Sequence, residues 1–287
     1  MMKLEVKGHS GCQIDVVRED GKLYVYKSTR DLGYLNRLCL QGKKQQEAAN
    51  LGLQHIRVPR IFNISRGDES VSIKMEYVYS KSFVGYFEYA GFEQISYFVD
   101  ALRLFLDYEI NNSKSELIEA EVLRQKFYDV KKKTLNNQSL VGDEEIVNIL
   151  NESEKHFTEA KDMMLPVGKC HGDLTFSNIM FNGNNYYLID FLDSFIESPL
   201  LDIVKIRQDS AYLWSQLMYS GECDSIRLKI VADKIDKEIV NYASQYEWFK
   251  HYGLFQLMNF LRILQYAKER KVIDYLKQVI NQLLYEF

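Results

Sequence analysis

The chain has 287 residues, of which 46% are hydrophobic and 26% are charged, and its 36 Lys and Arg against 40 Asp and Glu give a net charge of −4. This composition is typical of a soluble globular protein and excludes an intrinsically disordered chain. Because the balance is slightly acidic and the basic residues are scattered, the sequence argues against a nucleic-acid partner.

The start of the chain alternates charged and apolar residues, which predicts a first strand and not a secretory signal. No apolar run reaches the roughly 18 residues of a membrane-spanning helix, so no membrane partner is expected. The cysteines are far apart and form no C-x-x-C pair, which favours a reducing, cytoplasmic location over a disulfide framework. They are Cys12, Cys39, Cys170 and Cys223.

The first part of the chain has the pattern of a small antiparallel sheet with one helix. Strands are predicted at 14–17 and 23–27, joined by a turn at Asp20-Gly21, and again at 60–65 and 71–78. Between them, residues 32–53 have helical periodicity, and Gly52 lies near the predicted end. The order is therefore three strands, a helix and two strands.

From residue 80 onward the pattern is mainly helical, with helices predicted at 92–108, 114–133, 144–162, 198–219, 226–246 and 254–287. Short strands are predicted at 179–181 and 186–189, around a tight turn that contains Asn182-Gly183. The predicted fold class is α+β, with a small β lobe over residues 1–79 and a larger, mainly helical lobe over residues 80–287.

The most informative run extends from Cys170 to Met180 and is followed by Ile189-Asp190-Phe191. It contains the pattern H-x-D-x-x-x-x-N. Phosphoryl transfer needs a carboxylate near the acceptor hydroxyl and oxygen ligands for Mg²⁺, and Asp173, Asn178 and Asp190 supply that set. The alternative is that these residues only stabilise turns, as Asp and Asn often do.

The run resembles the catalytic segment of the aminoglycoside phosphotransferase and choline kinase family, whose fold is similar to that of protein kinases. The resemblance implies a two-lobed protein-kinase-like fold, ATP (with GTP as an alternative) and Mg²⁺. It implies that Asp173 is catalytic, that Asn178 and Asp190 bind the metal, and that Lys27 on the third strand binds phosphate and pairs with a helix glutamate. Glu47 is the only glutamate between Lys27 and Arg57 and is assigned to that pair.

The same resemblance assigns weaker nucleotide-binding positions. Gly8, Ser10 and Gly11 lie between the first two strands, where the family has its phosphate-covering loop, although the full G-x-G-x-x-G pattern is absent. Glu76 and Val78 match the hinge, whose backbone groups would bind adenine.

Other polar residues near the motif are interpreted as structural. Asp202 resembles the family aspartate that supports the catalytic loop. His171 has a pKa suited to a general base, but in the family this histidine packs beneath the loop, so we assign it a structural role. Asp193 is either a second metal ligand or a turn residue, and we favour the turn.

The acceptor is not defined by these motifs, and an aminoglycoside, choline or ethanolamine, or a sugar or polyol all fit. Aromatic and acidic residues of the helical lobe favour an amine-bearing acceptor weakly, although helical aromatics are more often core. The aromatic residues are Tyr212, Trp214, Tyr219, Tyr246, Trp248, Phe249 and Tyr252, and the acidic ones are Glu197, Asp202, Asp209, Glu222 and Asp224.

The sequence thus predicts a small-molecule kinase that transfers the γ-phosphate to a hydroxyl group. The alternative is a catalytically silent, kinase-like regulatory module, which the complete set of motif residues argues against. A protein kinase is disfavoured because Ser198-Pro199 follows Asp190 too closely to leave room for an activation loop.

Overall fold

The computed structural model describes residues 4–7 and 12–287, the first four as backbone only. The strands are β1 Leu4–Lys7, β2 Gln13–Glu19, β3 Lys22–Thr29, β4 Ile56–Arg57, β5 Ile61–Arg66, β6 Val71–Glu76, β7 Lys114–Ile118, β8 Met163–Val167, β9 Ile179–Asn182 and β10 Asn185–Leu188. The α-helices are α1 Leu35–Ala48, α2 Phe83–Phe87, α3 Phe92–Asn111, α4 Ala120–Leu135, α5 Glu144–Glu159, α6 Pro199–Ser210, α7 Trp214–Leu217, α8 Ser225–Ala243, α9 Tyr252–Leu264 and α10 Arg270–Tyr285. Two 3₁₀ helices cover Phe176–Asn178 and Glu247–His251.

An antiparallel sheet of five strands in the order β1-β2-β3-β6-β5 forms the N-terminal part. Helix α1 packs closely on this sheet, since a Cβ at Gly42 would lie 2.8 Å from the Ile73 side chain. In the register of β3 and β6, Lys27 is paired with Ile73, which places Lys27 in the middle of the sheet. The strands, the helix and their order agree with the sequence prediction.

A second sheet, in the order β4-β10-β9, carries the motif residues. β9 and β10 form an antiparallel hairpin, and β10 also pairs in parallel with β4, through Tyr186 and Ile56. Asn178 ends the 3₁₀ helix that precedes β9, and Asp190 follows β10. The hairpin therefore brings these two residues to the same end of the sheet.

The remaining chain is mainly helical, and its core is formed by α4–α6, α9 and α10 on one side and by α2, α3 and α8 on the other. Among the helices in the described part of the chain, none combines the length and apolar character needed to cross a membrane.

Three predicted helices are wrong in extent. Residues 114–118 form β7, which pairs with β8 about fifty residues further along the chain, a long-range contact that local periodicity cannot reveal. Residues 198–219 are interrupted at Leu213, whose φ of 56° is left-handed. Residues 254–287 divide into α9 and α10. The α+β, protein-kinase-like architecture is nevertheless confirmed.

Candidate active site

The segment that follows β8 is held in place by the carboxylate of Asp202 on α6. Its two oxygens accept hydrogen bonds from the backbone N–H groups of His171 (2.6 Å), Gly172 (2.8 Å) and Leu174 (3.4 Å). Asp202 is fully buried, so these donors replace the water that the carboxylate loses. This geometry agrees with the supporting role expected for Asp202.

The imidazole of His171 is a buried structural group. Its Nδ1 accepts a hydrogen bond from the Asp173 N–H (3.2 Å), and its ring packs on Phe191 with centroids 4.3 Å apart. Burial lowers the pKa of His171, which keeps the ring neutral. This agrees with the structural interpretation of His171.

Gly172 allows the loop to approach the segment after β10. Its φ is +86°, and a Cβ there would overlap the Leu192 carbonyl oxygen. The Leu192 N–H donates to the His171 carbonyl (2.9 Å), and the Ser194 hydroxyl donates to the Gly172 carbonyl (3.3 Å). Only glycine combines this backbone angle with this close contact.

Asp173 lies at the end of this loop, and its side chain is 23% exposed. Oδ1 is 3.1 Å from the Lys205 ammonium, and Oδ2 accepts a hydrogen bond from the Asn178 amide (2.9 Å). Burial raises the pKa of Asp173, but the charge and hydrogen bond of Lys205, with smaller contributions from His171 and Asn178, together outweigh it and the net pKa is lowered. The carboxylate is therefore ionised near neutral pH and accessible from one side.

Asn178 is fixed by the same contact. Its Nδ2 donates to the carbonyl and to the carboxylate of Asp173, at 2.8 and 2.9 Å. Since the amide nitrogen is committed to these bonds, the amide oxygen remains as an acceptor. The 3₁₀ helix that presents Asn178 is anchored at Phe176, whose N–H donates to the buried Asp209 (2.6 Å).

Asp190 and Lys27 meet where the two sheets approach each other. The Lys27 ammonium is 2.8 Å from Asp190 Oδ1. Burial acts to lower the pKa of Lys27, but the Asp190 charge and hydrogen bond more than compensate, and the pKa is raised. Asp190 also has a φ of +61°, which is uncommon for a residue with a side chain and typical of functional sites.

Asn178 and Asp190 fit a magnesium ion. The Asn178 carbonyl also accepts a hydrogen bond from Ile189, next to Asp190 (3.0 Å), so the two residues are adjacent. Mg²⁺ in phosphoryl-transfer sites is held by one or two protein oxygen ligands, with phosphate and water completing the octahedron. The described residues contain no group of three or more His, Cys, Asp or Glu arranged for a metal, and such a dedicated cage is not required here.

The predicted pair of Lys27 with Glu47 is wrong. Glu47 lies near the end of α1, and its carboxylate is 2.6 Å from Lys169, with both side chains largely exposed. The positions of α1 that face the sheet carry uncharged residues such as Gln41 and Gln45. The only glutamate of α1 therefore points to the solvent side, and Asp190 takes the contact with Lys27.

The other predicted nucleotide-binding positions remain predictions. Gly8, Ser10 and Gly11 lie outside the described residues. Glu76 ends β6, and its Oε2 accepts a hydrogen bond from the Arg60 N–H (3.1 Å). Val78 follows the strand and is buried.

Sequence reasoning missed Glu109 on α3, which is almost fully buried beneath the loop. Its Oε1 accepts a hydrogen bond from the His171 N–H (2.9 Å), whereas its Oε2 has no partner among the described residues. Burial and the neighbouring Asp202 charge raise the pKa of Glu109 well above its ordinary value. Glu109 therefore carries a proton beside the Asp202 carboxylate. No spacing in the sequence connects α3 with the motif.

The helical aromatics do not form a cage for a cation. Tyr212, Trp214 and Trp248 pack in or against the cores, as the more common interpretation predicted. Two of the acidic candidates, Asp202 and Asp209, are not available to bind an amine. Their carboxylates are buried and accept hydrogen bonds from backbone N–H groups. Asp193 forms an ion pair with Arg37 (3.2 Å).

Comparison with known proteins confirms the family resemblance. Residues 100–223 match the model of the phosphotransferase enzyme family. That match includes the loop around Asp173, Asn178 and Asp190. No curated protein gives a significant sequence match. The family match supports a phosphotransferase.

Solved structures share the fold at low sequence identity. The GDP and kanamycin complex of APH(2")-IIia has a TM-score of 0.64 and 13% identity, covering 99% of this chain and 93% of its own. Amicoumacin kinase hAmiN, in complex with AMP-PNP, Ca²⁺ and Ami, has a TM-score of 0.63 and 10% identity, covering 99% and 88%. A choline/ethanolamine kinase family protein from Mesorhizobium loti has a TM-score of 0.58 and 12% identity, also covering 99% and 88%. At these identities the likeness establishes the fold alone.

Proposed function

We propose that this protein, whose residues 100–223 match the phosphotransferase enzyme family, transfers the γ-phosphate of ATP to a hydroxyl group of a small molecule. The observation that carries the proposal is the convergence of Lys27, Asn178 and Asp190 beside Asp173. Lys27 contacts Asp190 at 2.8 Å and Asn178 contacts Asp173 at 2.9 Å. The hydrogen bond from the Ile189 N–H to the Asn178 carbonyl (3.0 Å) connects the two pairs. GTP is an alternative donor, since structural neighbours were solved with GDP and with AMP-PNP.

In this mechanism Asp173 orients the acceptor hydroxyl and takes its proton. The hydroxyl oxygen forms a bond to the γ-phosphorus as the bond between that phosphorus and the bridging oxygen breaks, and the nucleoside diphosphate leaves. The lowered pKa keeps Asp173 ionised and ready to accept the proton. The open side of its carboxylate gives the hydroxyl access.

The remaining residues act through position and charge. Lys27 neutralises phosphate oxygens that would repel the incoming hydroxyl oxygen. Asn178 and Asp190 would hold Mg²⁺, which supplies charge neutralisation on the phosphates when bound. Asp190 has a left-handed backbone, and its carboxylate contacts Lys27.

The cytoplasm is the proposed compartment, supported by the four cysteines, which are all free thiols. An ATP-using enzyme also needs the nucleotide pool of that compartment. The regulatory-module alternative has no observation that favours it.

The decisive variant is Asp173→Asn. It preserves shape and the contact with Asn178 but removes the proton acceptor. We expect ATP affinity within about 3-fold of wild type and phosphoryl transfer reduced by about 10²–10⁴-fold, the range for loss of general-base catalysis. ATP binding is measured by calorimetry, and transfer by acceptor-dependent ADP release over a panel of hydroxylated amines, sugars and acids. If wild type binds ATP tightly but phosphorylates nothing, the silent module is favoured. Near-normal transfer by the variant contradicts the role of Asp173.

A further inference from the structure

A shallow cleft, whose enclosed volume of about 10 Å³ holds no more than one water molecule, opens on the side of the catalytic loop that faces α6 and α9. Gly172 lines it, next to Asp173. Lys205 from α6, Arg262 from α9 and Phe195 also line it. Because it adjoins the proposed base from the helical side, an acceptor bound at Asp173 would lie beside it.

The cations in and around this cleft outnumber the carboxylates available to pair with them. Among the described residues, the one ion pair of Lys205 is with Asp173, at 3.1 Å, and its ammonium also donates to the Gln208 side chain (3.2 Å). Arg262 forms no ion pair with any residue in the described part of the chain, and the same is true of Lys126. Both cations lie on the ring of Phe195, at 5.7 Å for Arg262 and 5.6 Å for Lys126.

The positive charges of Lys126 and Arg262 repel each other. Burial is the main cause that lowers the pKa of Lys126, and the Arg262 charge lowers this pKa further. Burial likewise lowers the pKa of Arg262, although the charges of Asp173 and Asp193 act in the opposite direction. Asp193 is already paired with Arg37. Like charges held close together destabilise a protein, and the Asp129 charge offsets this for Lys126 only in part, so the cluster requires a structural benefit.

Packing on Phe195 does not supply one. A cation on an aromatic ring contributes only about 0.5–1 kcal/mol at exposed sites, and one cation would suffice. Nor do the nucleotide phosphates account for the cluster. Lys27, which is proposed to bind them, and Asp190, which is proposed to bind Mg²⁺, come from β3 and from the end of the β9–β10 hairpin, whereas Lys205 and Arg262 come from α6 and α9.

We propose that the acceptor carries an anionic group, a carboxylate or a phosphate, in addition to the hydroxyl, and that Arg262 and Lys205 bind that group. This inference rests on the proposed function, because it names the substrate class of the same site. A guanidinium forms paired hydrogen bonds with a carboxylate or phosphate, and an ammonium adds a point charge. The inference replaces the weak sequence preference for an amine-bearing acceptor, whose ammonium would meet these cations.

The test compares acceptors that differ in charge and are otherwise alike. Glycerate and glycerol 3-phosphate are compared with glycerol, and glucuronate and glucose 6-phosphate with glucose and glucosamine. We expect kcat/KM for at least one anionic member to exceed its neutral or amine partner by at least 10-fold. Arg262→Ala should raise the KM for that acceptor by about 10–100-fold, the equivalent of one charged hydrogen bond, and leave the KM for ATP unchanged. Arg262→Lys should restore part of the loss.

The matched control is Arg270→Ala, which removes an exposed arginine that pairs with Asp274 on α10. This variant should change neither the KM for the acceptor nor the KM for ATP. Preference for amines or neutral acceptors, or an effect of Arg262→Ala on the KM for ATP, overturns the anionic acceptor while leaving the phosphotransferase proposal intact.

A binding measurement tests the inference separately from turnover. Sulfate is titrated calorimetrically into protein saturated with AMP-PNP and Mg²⁺, so that the phosphate-binding region is already filled. Binding to wild type that is at least 10-fold weaker in Arg262→Ala supports the anion site even if no acceptor is phosphorylated, a result that would count against the proposed function alone. Equal sulfate binding by both proteins overturns the inference.

Discussion

The Lys27 ammonium lies 2.8 Å from the carboxylate of Asp190, whereas the one glutamate of α1 lies on the opposite side of that helix in an exposed pair with Lys169. Lys27 is therefore oriented by Asp190 and not by a helix glutamate, and Asp190 balances its buried charge. Under the proposed function, Lys27 would bind phosphate oxygens and Asp190 would hold Mg²⁺.

This arrangement predicts unequal effects for two variants. Glu47→Gln should keep kcat/KM within about 2-fold of wild type, because exposed ion pairs contribute about 0–1 kcal/mol. Lys27→Met should reduce kcat by about 10²–10³-fold, the loss typical of one electrostatic contact to a transition state. Both effects are measured by steady-state kinetics with an acceptor that the proposed panel identifies.

Lys169→Gln is the control for Glu47→Gln, since it breaks the same surface pair from the other side. If Glu47→Gln were as damaging as Lys27→Met while Lys169→Gln was harmless, Glu47 would have to reach Lys27 during the reaction. That result would restore the pair that the sequence suggested.

The sequence predicted the residues whose spacing is local and missed those that depend on tertiary contacts. Asp173 and Asn178 are five positions apart in one loop, and a short hairpin brings Asp190 to them, so a motif captures all three. Glu109 and Arg262 reach the same region from α3 and α9, and neither helix has any fixed sequence distance from the loop. The pairing of Lys27 failed for the same reason, because it depends on which face of α1 packs on the sheet.

The second prediction concerns pH. Lys205 makes the largest of the contributions that together outweigh burial and lower the pKa of Asp173, so activity that needs the Asp173 anion falls as pH drops through that lowered pKa. Lys205→Met removes the opposing charge and leaves burial to raise the pKa. The acid limb of the kcat/KM profile should therefore move to higher pH, whatever the loss in its maximum.

Lys205→Arg should return the acid limb toward its original position, since it keeps the charge. Lys155→Met is the lysine control, because Lys155 is exposed on α5 and pairs with Glu152. An acid limb that stays in place in Lys205→Met would mean that Asp173 does not set it.

The third prediction tests the close approach at Gly172. Gly172→Ala requires a left-handed alanine, which costs about 1–2 kcal/mol, and also places its Cβ against the Leu192 carbonyl. We expect a total loss of about 2–5 kcal/mol in unfolding free energy. Transfer activity should fall sharply because the loop that presents Asp173 must shift.

Gly142→Ala is matched to it. Gly142 has a similar φ of +79°, but no heavy atom lies within 4 Å of its added Cβ. Gly142→Ala should lose only the unfolding free energy that a left-handed alanine costs, and it should keep its activity. Equal losses of stability and activity in both variants would show that the contact with Leu192 has no importance.

The fourth prediction concerns the proton shared beneath the loop. The raised pKa of Glu109 means that the folded protein holds a proton that the unfolded chain releases above its ordinary pKa of about 4.3. The folded state then binds more protons, so unfolding free energy falls as pH rises from that value toward the raised pKa. Glu109→Gln imitates the protonated acid and removes this contribution.

The measurement is denaturant unfolding of wild type and Glu109→Gln at pH 5 and pH 8. Wild type should lose more stability between the two pH values than the variant does. Asp202, whose pKa burial also raises, lies beside Glu109 and belongs to the same titrating pair. Asp209, whose pKa burial raises to about 6, contributes to both proteins equally. Glu109→Ala should be less stable than wild type at both pH values, because it leaves the space beside Asp202 unfilled. An identical pH dependence in wild type and Glu109→Gln would contradict the assignment of the proton to Glu109.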